Sequence, residues 1–188
     1  MGVRVIGGTA RGRRLRAPKS VAVRPTADRV REAIFDVLAH LGAVEDATVV
    51  DLFAGSGALG IEALSRGAAA ATFVETDRDA VATIKANLEA TGLASAVTHV
   101  VRADAVSWCS SVTEPFDLAF VDPPYAFAAW HELLCCLPAR TAVLESAHEI
   151  ELAGDFLLHR SYRYGGTLVT VAVTSPPVSS ATTARRNR

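Results

Sequence analysis

The sequence predicts an α/β fold: a mostly parallel seven-stranded sheet with helices on both faces, a closing β-hairpin and a small basic N-terminal extension. Two observations carry this. Short apolar runs alternate with longer stretches of helical spacing, the pattern of a parallel sheet covered on both sides. Each candidate chemical motif also falls just after one of those runs: Gly55 after the first, Glu75 after the second, Asp104 after the third and Asp122 after the fourth. Open α/β sheets bind ligands at the carboxyl ends of their strands, so four placements on one rim support one another.

The 188 residues, half of them hydrophobic, suit one domain with a full core. Residues 1–25 read as a basic arm or hairpin, 26–173 as the domain and 174–188 as a disordered tail rich in Pro, Ser, Thr and Arg. The net charge of −1 conceals an asymmetry. Residues 1–31 hold nine Arg and Lys against one acid, Asp28, which leaves ten basic and nineteen acidic residues elsewhere. Such a local excess is an electrostatic footprint for a polyanion. Within the arm, residues 3–8 read as a short strand and turn, punctuated later by Leu15 and by Val21, Ala22 and Val23.

Val30, Ala33, Ile34, Val37 and Leu38 predict an amphipathic helix over 27–38, with Thr26 as its N-cap. Arg24, Arg29 and Arg31 crowd its start, where the helix dipole disfavours cations unless an anion sits there. Strands follow at 48–53, 71–75, 97–101, 116–121 and 141–145, with helices at 58–66, 77–91 and 127–137; Gly67 and Gly92 cap the first two of these helices. Residues 156–163 and 167–173, parted by Gly165 and Gly166, form the closing hairpin. No apolar run is long enough for a membrane span, and no signal-peptide core opens the chain. Three cysteines without metal-like spacing suit a reducing cytoplasm and no metal; Cys135 and Cys136 read as small core residues.

The turn Ala54-Gly55-Ser56-Gly57 lets the backbone pass close to a ligand, and the helix behind it offers N–H groups unpaired within the helix. Gly55-x-Gly57-x-x-Gly60 with Glu75 also satisfies a dinucleotide fingerprint. Three features count against a nicotinamide cofactor: Asp51 near the place of a pyrophosphate, no second domain for a hydride acceptor, and the Asp122-Pro123-Pro124-Tyr125 end of the fourth strand. An acid at position 51 instead suits a ligand with an amino group.

Taken together, residues 48–173 resemble the class I S-adenosylmethionine-dependent methyltransferases, with their Rossmann-like sheet and closing hairpin. The resemblance implies S-adenosyl-L-methionine as cofactor. Asp51, Ala54, Gly55, Ser56 and Gly57 would hold its methionine part, Glu75 the ribose hydroxyls and Asp104 the adenine amino group, with Thr76, Ala105 and Asp122 completing the set. Asp122-Pro123-Pro124-Tyr125 looks like the (Asp/Asn)-Pro-Pro-(Tyr/Phe) motif of enzymes that methylate planar nitrogens. An exocyclic amino nitrogen is a poor nucleophile because its lone pair is delocalised into the ring. A carboxylate (Asp122) and a carbonyl (Pro123) that accept its two protons free that pair, and Tyr125 offers a stacking face. Asp122 is also the nearest acceptor for the proton to be shed. Carbon methylation would need a cysteine nucleophile, and none falls on the rim.

The arm, with Arg4 to Gly8, Arg11 to Leu15 and Arg24 to Glu32, is similar to the start of the bacterial 16S rRNA (guanine-N2)-methyltransferases, as is the stretch from Asp51 to Ala68. That resemblance implies 16S rRNA in a wholly or partly assembled 30S subunit as the partner, a monomeric cytoplasmic enzyme, and an arm whose Arg4, Arg11, Arg13, Arg14, Arg24 and Arg29 grip phosphates. An N6-adenine or N4-cytosine DNA methyltransferase, a protein-glutamine methyltransferase and a non-catalytic RNA-binding assembly factor are the alternatives. The tail from Thr174 and the alanines 68–71 depart from the family pattern.

Overall fold

The computed structural model describes residues 3–18, 28–94 and 97–174. The chain runs α1 (Asp28–His40), β1 (Thr48–Leu52), α2 (Ala58–Ser65), β2 (Ala70–Glu75), α3 (Arg78–Thr91), β3 (Val97–Arg102), α4 (Ala105–Cys109), β4 (Phe116–Val121), α5 (Trp130–Cys136), β5 (Ala139–Ser146), β6 (Phe156–Tyr164) and β7 (Thr167–Thr174). Seven strands form one sheet in the order β3-β2-β1-β4-β5-β7-β6. Strands β1 to β5 pair in parallel, while β7 runs antiparallel to both β5 and β6. Strand order reverses between β1 and β4, so the switch point lies at their carboxyl ends.

Alternation along the central strands builds two cores. Val49, Phe73, Leu118, Phe120 and Val143 pack with α1, α2 and α3 on one face. Val50, Leu52, Val74, Ala119, Val121 and Leu144 pack with α4 and α5 on the other. Successive side chains of a strand point to opposite faces, so strands buried on both sides read as near-continuous apolar runs, broken here by Asp51 in β1 and Thr72 in β2.

Helix ends follow local chemistry. Asp77 caps α3 by accepting from Ala80 N at 2.7 Å, and Gly92 ends that helix at φ 75°. The short α4, absent from the sequence prediction, is nucleated by Asp104, which accepts from Ser107 N. Helix α5 starts at Trp130 rather than 127, because Phe127 N donates to Pro124 O and closes a turn first. It turns Leu133 and Leu134 inward and leaves Cys135 exposed, contrary to the core position expected for it, while Cys136 is half-buried against the core. Strand β7 takes in Thr174, which the sequence had assigned to the tail. The rest of that tail, together with Thr26 and Arg24, lies outside the described residues.

The basic arm shares the core of the domain. Arg4 bridges Arg14 in antiparallel fashion, Val5 N donates to Arg13 O, and Leu15 N donates to Val3 O. Val3, Val5, Ala10 and Leu15 are buried with α1 and α2. Buried Glu62 of α2 accepts from Ile6 N at 2.7 Å and Gly7 N at 2.8 Å, and pairs with Arg66. Among the described residues no helix is long and apolar enough to cross a membrane.

Candidate active site and nucleic-acid face

Strand β1 ends in a tight change of direction. Phe53 leaves it at φ 56°, a left-handed conformation that costs a side-chain-bearing residue energy and is held only by its surroundings. Gly55 (φ 54°) and Gly57 (φ 77°) continue the turn into α2. A Cβ on Gly57 would press on Ile61, Ile84 and Phe73 at 3.3 Å, whereas one on Gly55 would meet only Phe53 O at 3.9 Å. Gly57 therefore serves close packing and Gly55 an open backbone.

Glu75, at the end of β2, organises the neighbouring loops. Its Oε2 accepts from Gly55 N at 2.8 Å, and its Oε1 accepts from Thr76 N at 2.7 Å and Asp77 N at 2.9 Å. Across the rim lies a cleft of ≈ 340 Å³ lined by Phe53, Glu75, Thr76, Asp104, Ala105 and Phe127, with Val74, Ala103, Pro124 and Ala126. The Phe53 and Phe127 rings meet edge-on at 5.1 Å, and Trp130 backs Phe127 at 5.3 Å. Asp104, although solvent-exposed, stays below the usual carboxylate range because Ser107 N donates to it.

Four residues named for the cofactor, Glu75, Thr76, Asp104 and Ala105, thus meet in one cleft. Asp51, Ala54, Gly55, Ser56, Gly57 and Asp122 stand outside its wall. Asp51 is 2% exposed, and its Oδ2 accepts from Gly60 N at 2.9 Å. The N-terminus of α2 is therefore not wholly offered to a ligand: this N–H is satisfied from within. Burial, with Asp122 and Glu75 adding repulsion against the help of Gly60 N, pushes the Asp51 carboxyl up to about 8. Such a group is suited to ionise when a cation is placed beside it.

Asp122 directly follows β4 and is exposed, as is Tyr125. Pro124 joins this loop to the cleft by forming part of its wall. The sequence had not singled out Phe53 or Phe127. Phe53 passed for the last residue of a strand and Phe127 for the first of a helix, and an aromatic beside each turn was the available signal. Cys109, under the rim in α4, is buried and its thiol is pushed up to about 12 by that burial, so it is no nucleophile.

On the arm, Arg11, Arg13 and Arg14 are exposed, as is Arg29 on α1. Arg4 is exposed and pairs with Asp28 at 3.3 Å. Arg31 differs from the expectation of an external anion: it is 1% exposed, pairs with Asp28 at 3.1 Å and donates to Arg4 O. Its burial lowers its pKa from the ordinary arginine value. The anion at this helix start is the chain's own Asp28. Asn87 ties the arm to the glycine turn, since its amide accepts from Arg16 N and donates to Arg16 O and Ser56 O.

The donor set fits an adenosyl group: an aromatic and apolar slot with a carboxylate at the end of β2 and another at the end of β3. Sheet order, glycine turn and rim cleft together define the Rossmann-like fold of the class I methyltransferases. Residues 3–171 match the family model described as conserved hypothetical protein 95, and the chain belongs to that family. It is 46% identical over 123 residues to ribosomal RNA small subunit methyltransferase D of Escherichia coli K12; the match takes in 65% of this chain and spans 60% of that relative's length. It is 36% identical over 182 residues to Bacillus subtilis YlbH, named "Putative rRNA methyltransferase", covering 90% of this chain and 97% of the relative. A solved structure of yhhF from Escherichia coli superposes with a TM-score of 0.81 at 36% identity, covering 93% of this chain and 99% of that one.

Proposed function

We propose that this chain transfers a methyl group from S-adenosyl-L-methionine to the exocyclic N2 of one guanine in 16S rRNA, presented by a wholly or partly assembled 30S subunit. The observation that carries the reading is that the Asp122–Tyr125 loop and the cleft are one structure, with Pro124 belonging to both. A group held in the cleft and a base seated on the loop would then be neighbours. The relative named as a small-subunit rRNA methyltransferase supports an rRNA substrate. The arm's exposed arginines supply the charge that such a substrate needs.

When bound, the cofactor supplies an electrophilic methyl on a positively charged sulfur. Glu75 would take one ribose hydroxyl at the lone-pair site of Oε2 left beside Gly55 N. Its Oε1 already accepts from Thr76 N, Thr76 Oγ1 and Asp77 N, so a second hydroxyl would displace the 3.3 Å bond from Thr76 Oγ1. Asp104 would accept from the adenine amino group, while Phe53 and Phe127, in edge-on contact with each other, would form one apolar wall against the ring. Asp51 would face the cofactor's ammonium group. Asp122 accepts one proton of the guanine amino group and the Pro123 carbonyl the other, which draws the nitrogen toward a tetrahedral shape. The two prolines fix φ and keep this geometry stiff. Tyr125 stacks on the base, and Asp122 takes the proton the product sheds.

The test is tritiated methyl transfer to three substrates, namely unmodified 30S subunits, naked 16S rRNA and duplex DNA, followed by nucleoside digestion. N2-methylguanosine on the particle, abolished by Asp122→Ala, is the expected result. N6-methyladenine in DNA, or label in none of the three, refutes the reading.

A further inference from the structure

We infer that β6 and the turn after it form a second RNA-contact surface, flanking the target nucleotide on the side opposite the cofactor cleft. This rests on the proposed rRNA substrate and adds a part of its binding site that lies far from the arm in sequence.

Register places the surface. Val121, the residue before Asp122, lies level with Leu144, which pairs with Thr170 and through it with Ser161. Ser146 pairs with Leu168, which pairs with Arg163. Arg163 therefore stands two residues further toward the carboxyl-end rim than Val121, about 7 Å, and three strand spacings to its side, about 14 Å. The cleft lies over β1, β2 and β3, so β6 is on the other flank of the Asp122 loop. Arg160 and Tyr162 pair with Val171 and Val169, and directly opposite residues share a face. Those valines pack in the core cluster that includes Val3, Val5 and Leu15 of the arm. Arg160, Tyr162 and Tyr164 thus stand on the same face of the sheet as the arm, while Arg163, opposite Leu168, lies on the other face at the rim end of the strand.

Chemistry selects the partner. The Arg160 guanidinium lies over the Tyr162 ring, 5.4 Å from its centroid, and Tyr162 stacks on Tyr164 at 6.3 Å and 24°. Arg160 and Arg163 are exposed. No acid occurs from Phe156 to Thr174, and the nearest in sequence, Asp155, precedes Phe156 at the far end of the hairpin, where Phe156 pairs with Thr174. Arg160, Tyr162 and Tyr164 in one row, with Arg163 on the opposite face of the same edge strand and no acid in that strand, suit unpaired bases stacking on aromatic and guanidinium planes, with phosphates paired to the cations along the sheet edge. A register shift between Leu158 and Arg160 marks a bulge in this strand, and bulges re-aim side chains beside active sites.

The test compares the wild-type chain with Arg160→Gln/Arg163→Gln, Arg160→Lys/Arg163→Lys and, as the arm reference, Arg13→Gln/Arg14→Gln. Binding to naked 16S rRNA is measured across a salt series, together with kcat and KM for unmodified 30S subunits and the thermal midpoint as a check of folding. The glutamine pair is expected to reduce the salt slope by roughly 1.4, about 0.7 for each phosphate no longer neutralised. It should raise KM for the particle about tenfold at near-constant kcat, and the lysine pair should restore the slope. An unchanged slope and KM, with the arm variant impaired, overturns this surface and leaves the rRNA reading intact. Loss on the particle but not on naked rRNA assigns the surface to a ribosomal protein and also overturns it. A wild-type chain with no affinity for rRNA refutes both.

Discussion

Asp51 makes stability depend on pH in the opposite sense to most carboxylates. In the folded chain its carboxyl is pushed up to about 8, from an ordinary value of 3.8, chiefly by burial. The native state therefore keeps a proton that the unfolded chain releases above about pH 4. Stability contributed by this group is full below that value, falls by about 1.4 kcal/mol per pH unit as pH rises, and levels off beyond about pH 8. Between pH 5 and 8 the loss is on the order of 4 kcal/mol, or roughly 10 °C in Tm for a chain of this size. Asp51→Asn keeps a side-chain oxygen for Gly60 N and removes the titration. Urea midpoints of the cofactor-free protein at pH 5, 6, 7 and 8 should show wild type falling away from the variant, which gains relative stability at each step. Parallel curves would refute the assignment of the slope to Asp51. Under the proposed function a cofactor cation favours the ionised form, so cofactor affinity should rise with pH toward 8, with proton release on binding, and Asp51→Asn should abolish both.

Glu62→Ala strips the acceptor from two arm amides and from Arg66, all around a buried site, and should cost about 3–5 kcal/mol. Thermal melting reads the loss, and trypsin should cut after Arg11, Arg13 or Arg14 faster than in wild type; unchanged cleavage would show that Glu62 does not hold the arm. Gly60→Ala places a Cβ against the Phe73 ring in a packed core and should destabilise by about 1–3 kcal/mol in denaturant unfolding. A neutral result would mean that the ring has room to move. Glu75→Ala removes charged hydrogen bonds proposed for the cofactor and should raise the S-adenosylmethionine Kd by roughly tenfold to a hundredfold in calorimetry. Equal affinity would remove Glu75 from the site.

The local code of the chain carried the architecture. Strand and helix periods, the glycines at 55 and 57 and Gly92 all depend on neighbours within a few residues, so alternation and turn chemistry were enough to count the strands and place the acids on the rim. The spatial order of the strands and the Asp77 cap came from the structure. Glu75 and Asp104 were legible because a strand end has a fixed address in a parallel sheet.

Contacts between segments 55 to 71 residues apart were not legible, because sequence spacing holds no information about which surfaces meet. Glu62 reads as one polar residue in an apolar helix until Ile6 and Gly7 are seen to donate to it. Arg31 looked like one more cation for a polyanion, yet it is buried against Asp28 and Arg4 O. Asn87 gave no sign that it joins the arm to the glycine turn. Asp51 could be named from its strand, but its raised pKa follows from the depth at which the sheet buries it, and depth is a property of the assembled core. Period and turn chemistry thus set where each side chain is offered, while packing set which of them meet water, a ligand or one another, since burial energy depends on surfaces that exist only after the layers close.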